Sequence, residues 1–561
     1  MAERWSFCRA ALNVFGTATS SRRTGPVPVN SSNANVAVAA APPGKQRQVT
    51  MCTKLLLGIG ESVQSIYVVI GGFYLNQYLL EVCCMDAGFV GLLQLIVGLF
   101  DTFNDPIVGI LSDMTRSRWG RRRPWLLFSA PFLAVAYFGL WSGVDVDTPM
   151  GLKFAYYLLC YAGVSMGITC VAVAIGSLVP ELTTDYDERS EITAVRIMVG
   201  YVIGLFCAMM HQFVVGRVVD KQVGYRISGS IFALVMWTAS WIAFAGIKEK
   251  FVPAQESQER MSYKAQIKAV CSSHPFRCVI MIYLCGPTAV AMVQGNLIMF
   301  CTYNMQNPEM SNILIPVVMG TAWLTIPFWT LASARIGKRG IFFVGGTVLV
   351  IGMVAMGFLT PEMESLTYFT GAWIGSSLVV VYMVPFSMLP DVIEDDELKT
   401  GKRREGIFVG FFTVSLKLST TMTWSATNFF LAAAGYKSPS DQCSIANVAI
   451  EASQRLAEKA EGAKVVQVQA DAVLFVIRCV ISIIPAILIL IAMVIVYLYP
   501  LTKERHADLL RKVAAKREEQ LKRQTEELKP LSDQEPKEIS ISLDDIRVGR
   551  QEWECGDSVS L

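Results

Sequence analysis

The sequence predicts an all-α integral membrane protein, with twelve transmembrane helices in two six-helix halves. Three observations carry that expectation. Hydrophobic residues fill 53% of the 561 positions and charged ones only 17%, against roughly 25% charged in a soluble globular chain. Apolar runs recur that are each long enough to cross a hydrocarbon layer, which takes about 20 residues. The loops between them alternate between charge-rich and charge-poor, the asymmetry that orients a polytopic chain.

The elements follow in order. Residues 1–52 form a tail rich in Ala, Ser, Pro and Asn, with Glu3 as its only acid. It reads as a disordered cytoplasmic tail, or by composition as an organelle transit peptide. Asn30-Ser31-Ser32 spells a glycosylation sequon, but the topology puts it on the cytoplasmic side. The first half, 53–247, holds spans near 54–80, 88–112, 124–144, 152–179, 192–215 and 227–247. A charged linker, 248–276, leads to the second half, 277–500. Its spans lie near 277–303, 312–334, 340–360, 366–389, 407–434 and 471–499. A charged tail, 501–561, closes the chain. Loops after even-numbered spans (113–123, 180–191, 248–276, 335–339 and 390–406) carry the charge, which places both termini in the cytoplasm. A plasma-membrane protein is expected, with an organelle membrane as the alternative.

The halves echo each other. Ser177-Leu-Val-Pro-Glu recurs as Ser387-Met-Leu-Pro-Asp, and Gly120-Arg-Arg-Arg more weakly as Gly337-Lys-Arg-Gly. Matched loops in two six-span halves fit a repeat transporter whose site lies at the midplane between them. The 14 cysteines do not read as a disulfide framework, since Cys160, Cys170, Cys207 and Cys285 fall inside apolar spans, where a thiol behaves as a small hydrophobe. The net charge of +3 says nothing about nucleic acid, because topology explains the basic loops.

Charges inside spans cost about 2.5–3.5 kcal/mol each at mid-bilayer on insertion scales, so those present need a reason. Asp101 and Asp105 stand one turn apart on one face of span 2, beside Asn104. Pro106 follows, and its ring removes the hydrogen bond that would occupy the Thr102 carbonyl. With Thr169 from span 4 this makes a set of hard oxygens for Na⁺, and proton coupling through the same acids is the competing reading. A third is purely structural, the acids being neutralised by Arg196 and Lys417. Lys417, about ten residues into span 11, can hold the acids and release them to an arriving cation. Arg196 is close enough to a loop to snorkel. Glu61 stands between a substrate role and local hydrogen bonding, and His211 and Arg478 are expected at span ends. Asp113 with Arg121 and Arg122 reads as a cytoplasmic latch. No catalytic triad, metal motif or phosphate loop is visible, so neither an enzyme nor a cofactor beyond a coupling ion (Na⁺ or H⁺) is expected. The expected partners are a small amphiphilic or sugar solute, the coupling cation and the bilayer. The chain is expected to be a monomer. A membrane receptor or scaffold that kept the fold without transport is the alternative from another class.

FNDPIVGILSDMTRSRWGRRRPW (103–125) resembles the span 2–3 signature of the glycoside–pentoside–hexuronide:cation symporter family of the major facilitator superfamily. PELTTDYDERSEITAVR (180–196) and SMLPDVIEDDELKTGKRREGIF (387–408) resemble its two other diagnostic loops. The resemblance covers roughly 53–500 and implies twelve helices, alternating access and Na⁺ or H⁺ coupling. It implies cation ligands at Asp101, Asn104, Asp105 and Thr169, and central basic residues at Arg196 and Lys417. In the family's sugar branch, typified by melibiose permease, acids and an indole read the sugar. Here those positions correspond to Ser65, Ala172 and Gly176. GNLIMFCTY (295–303), LTIPFW (324–329), 387–399 and Thr169-Cys170 are instead similar to its sodium-dependent lysophospholipid branch. That branch implies a disulfide between the loops after spans 5 and 11. Cys443 stands in the second loop, but 216–226 holds no cysteine.

Overall fold

The computed structural model describes residues 49–247, 270–437 and 469–501, except 146, 184–185, 271 and 401–403, together with parts of 505–515. The N-terminal tail to residue 48, most of the linker, Cys443 and most of the C-terminal tail lie outside the described residues. Eleven helices there are long and apolar enough to cross a membrane. In the first half these are α1 Met51–Leu75, α2 Ala87–Met114, α3 Arg123–Ser142, α4 Met150–Leu182, α5 Tyr186–Arg217 and α6 Lys221–Gly246. In the second they are α7 His274–Met299, the long helix Met310–Gly357, α10 Glu364–Thr400, α11 Glu405–Ala433 and α12 Asp471–Leu498.

Eleven helices make twelve spans. Met310–Gly357 has 48 residues, about 72 Å at 1.5 Å per residue, which is more than twice the hydrocarbon thickness. It breaks at Gly337, whose φ of 80° and ψ of 165° are not helical. The two limbs, α8 (310–336) and α9 (338–357), are the expected eighth and ninth spans. Gly120, its counterpart in the internal repeat, also has positive φ (104°). Both turns use the conformation that a residue without Cβ adopts at no steric cost.

Helix starts follow local chemistry. The Asp86 carboxylate accepts from the Gly88 amide (2.8 Å) at the head of α2, and Asp220 from Gln222 and Val223 at the head of α6. These side chains satisfy donors that the first helical turn leaves unpaired. α1 does not stop at Leu75; it widens into π-type turns and runs on to Val82. Two expected loops are shorter than predicted. α4 continues to Leu182 and α10 to Thr400, carrying charged residues beyond the apolar stretch while keeping their backbone bonds internal. Charge marks the end of the apolar stretch, not the end of the helix. Asp395–Lys399 pairs along α10, and Asp396 accepts from Arg404 Nε (2.9 Å) at the turn into α11.

Within the first half, α3 packs on α4 and α6, α1 on α5 and α6, and α2 on α4. In the second, α7 packs on α10, α11 and α12, and the α8–α9 helix on α10 and α12. The halves meet through α2 with α11, α1 with α7, and α5 with the α8–α9 helix. One end of the bundle carries the arginine-rich turn 115–122 and is called the basic face; the other is the opposite face.

His211 corrects an expectation. It sits 1% exposed in the core of the first half, not at an interface. Its Nδ1 lies 2.7 Å from Ser228 Oγ, and its ring lies against Tyr74, Tyr225 and Trp141. A neutral imidazole is amphipathic enough to be buried when one nitrogen has a partner. Nine described cysteines are free, but Cys84, in the turn after α1, is disulfide-bonded.

Candidate functional site

α2 brings Asp101 and Asp105 to the boundary between the halves, and α11 brings Lys417 to meet them. Lys417 Nζ lies 2.9 Å from Asp101 Oδ2 and 2.7 Å from Asp105 Oδ1, and donates to the Asp101 carbonyl at 3.3 Å. α4 supplies hydroxyls from the other side. Thr169 Oγ1 contacts Asp105 Oδ1 at 3.0 Å and Asp101 Oδ1 at 3.3 Å, while Ser165 Oγ donates to Asp101 Oδ1 at 2.6 Å. Asn104 is buried, and neither its amide oxygen nor its nitrogen has a hydrogen-bond partner. The side chains of Asp101, Asp105 and Lys417 keep 25%, 26% and 21% of their surface exposed. The cluster is therefore partly exposed and is not a sealed core pair.

The cluster lies where the halves begin to part. Gly91, Gly98 and Gly109 are spaced by two and three turns and share one face of α2. A Cβ at Gly91 would stand 3.1 Å from the Ser425 carbonyl, and one at Gly98 would overlap Thr421 at 2.1 Å. A Cβ at Gly109 would meet nothing within 4 Å, nor would one at Gly410, two turns before Lys417 on α11. The two helices touch from the opposite face as far as Gly98 and diverge beyond the acids.

On the closed side a buried carboxamide cluster joins three helices. Asn428 Nδ2 of α11 donates to Asn76 Oδ1 at the end of α1 (2.7 Å) and to Gln94 Oε1 of α2 (2.8 Å). Farther out, Tyr303 donates to Glu81 Oε1 at 3.0 Å and lies 3.2 Å from the Tyr436 hydroxyl. Sequence reasoning missed these groups and Ser165. The available signals were helical spacing: Gln94 is two turns from Asp101, and Ser165 one turn from Thr169.

The other expected site residues separate from this cluster. Arg196 of α5 pairs with Glu61 of α1 at 3.3 Å, inside the first half. It therefore does not neutralise the aspartates, and Glu61 has an ionic partner as well as a neighbouring Ser65 hydroxyl on its carbonyl (3.3 Å). Arg122 bonds Asp113 and Ser112, tying the end of α2 to the start of α3 within one half. Arg123 donates to the Phe244 carbonyl of α6 at 2.7 Å. In the second half Lys338 holds Asp391 at 2.7 Å, from the repeated Ser-Met-Leu-Pro-Asp segment. Each of these pairs stays within its own half.

Known proteins share this architecture and sequence. The sodium-dependent lysophosphatidylcholine symporter 1 of Mus musculus is 26% identical over 511 residues, covering 85% of this chain and 90% of that protein. The isoprimeverose transporter of Lactiplantibacillus pentosus is 27% identical over 393 residues, covering 67% and 79%. Among solved structures, a bacterial homolog of the human lysosomal transporter Spinster, inward-facing and unoccupied, superposes with a TM-score of 0.56 at 11% identity, covering 81% of this chain and 98% of that one. The nucleoside transporter NupG does so at 0.52 and 10% identity, covering 80% and 97%. These structural likenesses show the major facilitator fold alone. Residues 56–503 match the family described as MFS/sugar transport protein. That span takes in both halves and every charged residue of the site, and the chain is a multi-pass membrane protein belonging to the MFS/sugar transport protein family.

Proposed function

We propose that the chain is a cation-coupled symporter that moves an amphiphilic solute such as a lysophospholipid by alternating access, with Na⁺ as the coupling ion. The observation that carries this is Lys417 reaching across the boundary between halves to both Asp101 and Asp105. Two negative charges against one positive leave the cluster one charge short of neutral, and a monovalent cation supplies it. The oxygens of Asp101, Asp105, Thr169 and the unpartnered Asn104 are hard ligands of the kind Na⁺ takes. An arriving Na⁺ competes with the ammonium for the same oxygens, releases Lys417, and so loosens the tie between α2 and α11. Ion binding and the movement of the halves are thereby one event.

Arg196 and Glu61 offer a cation and an anion handle side by side, which suits a zwitterionic headgroup. The relationship to the mouse lysophosphatidylcholine symporter supports the lipid class. The family's own description and the isoprimeverose transporter support a sugar as the second reading, although Ser65, Ala172 and Gly176 offer no carboxylate or indole. The charge asymmetry of the loops supports a cytoplasmic basic face, with both termini on that side, and a plasma-membrane protein. The group set supports transport without chemistry on the solute.

The test is uptake of labelled lysophosphatidylcholine and a labelled disaccharide, side by side, with Na⁺ or with choline in its place. Lipid uptake that collapses in choline is expected. Na⁺-driven disaccharide uptake with no lipid uptake would overturn the lipid assignment, and uptake indifferent to Na⁺ would overturn the coupling ion.

A further inference from the structure

We infer that Ser165 is a positioning residue of the cation site, keeping Asp101 aimed when Lys417 lets go. The inference rests on the Na⁺ reading above. Asp101 divides its oxygens between two partners. Oδ2 faces Lys417 across the boundary, while Oδ1 accepts from Ser165 at 2.6 Å, with the Thr169 hydroxyl farther off at 3.3 Å. Asp105 is held differently, because its Oδ1 takes both Thr169 and Lys417. Thr169 has one hydrogen to give, and its shorter contact is to Asp105 at 3.0 Å, so once the ammonium leaves, Ser165 is the hydroxyl that holds Asp101.

Ser165 is 1% exposed and Thr169 2%, so neither can exchange Asp101 for water without repacking. They lie one turn apart on α4, which packs on α2 inside the first half. The bond from Ser165 thus joins two helices of one half, while that from Lys417 joins the two halves. A carboxylate fixed by its own half keeps its geometry through alternating access, so the ion meets a formed site and not a loose side chain. A hydroxyl that donates its hydrogen to a carboxylate also retains lone pairs to offer a cation, so Ser165 stands as a further oxygen beside Thr169.

The test reads Na⁺ binding without any solute. Detergent-purified protein is unfolded by heat across a NaCl series, with choline chloride holding ionic strength constant, and the Na⁺ midpoint of the stabilisation is taken. Ser165→Ala should raise that midpoint roughly tenfold, the size of a lost hydrogen bond to a charged group. Ser165→Thr, which keeps the hydroxyl, should return it to near the wild-type value. Ser165→Cys, nearly the same size with a weaker donor, should fall between and serves if the alanine variant does not purify. Asp101→Asn should show no Na⁺-dependent shift. A wild-type midpoint in Ser165→Ala or Ser165→Cys, with Asp101→Asn unresponsive, overturns the role of Ser165. An Asp101→Asn variant that still responds to Na⁺ overturns the underlying Na⁺ reading.

Discussion

The same two helices, α2 and α11, are bolted at one end and parted at the other. Toward the opposite face the contact is glycine against side chain and backbone, with Gln94 and Asn428 sharing buried amide bonds. Toward the basic face, Gly109 and Gly410 look onto open space. The charged cluster stands at the transition. At the closed end the Asn428 amide nitrogen donates to both Asn76 and Gln94, and a buried amide donor that has its partners costs little. The charged groups in the middle stay partly exposed. The contrast teaches that one helix pair changes its chemistry along its length, from buried amides where the helices touch to an ionic cluster where they part.

Four experiments break or sharpen that contrast, the largest effect first. Asp101→Asn or Lys417→Ala breaks the ionic cluster. We expect concentrative uptake to fall by about two orders of magnitude or more, since truncating one partner of a charge pair strands the other; surface biotinylation should remain near wild type. Retained Na⁺-driven accumulation in either variant would sink the coupling role.

Gly98→Leu attacks the bolted end by geometry, because any side chain there meets Thr421. A reporter cysteine at Gly295, which has room beside Trp424 and the Gly72 carbonyl, should react with a maleimide about tenfold faster from the opposite face, the mark of a shifted population. Equal rates would mean that the helices yield without opening. Asn428→Ala removes the shared donor from Asn76 and Gln94. It should lower stability by about 1–3 kcal/mol, the cost of buried polar groups left unpaired, read as a lower unfolding temperature, and should speed the same labelling less than Gly98→Leu does. At the parted end, Met114 is 71% exposed, and Met114→Ala should change stability by no more than about 0.5 kcal/mol. A large loss there would show that the basic face is also tied.

Much of this was legible in the sequence for one physical reason. Ionised groups in apolar spans are costly, so Asp101, Asp105 and Lys417 announce themselves, and their meeting follows from a shared depth. The span count was legible because length and hydropathy set it, and Gly337 in the repeated Gly-Lys-Arg-Gly segment marked the one boundary that the helix runs through. Partner choice was harder. Arg196 reads as a partner of the aspartates or as a snorkelling residue, and only the packing of α1 on α5 gives it to Glu61. Asn76, Gln94 and Asn428 were overlooked because neutral amides raise no alarm in a hydropathy profile. His211 was misplaced because its distance from the span end was read as depth, whereas the aromatic rings of three neighbouring helices enclose it.

The bonded Cys84 carries a consequence for cell biology. A disulfide is kept only where the surroundings oxidise thiols, as outside the cell or in the secretory lumen. The turn after α1 lies at the amide-closed end of the bundle, away from the arginine-rich turn, so the bond makes the orientation testable. A membrane-impermeant reductant added to intact cells would free the Cys84 thiol for labelling if that side faces out, and would leave it silent if it faces in.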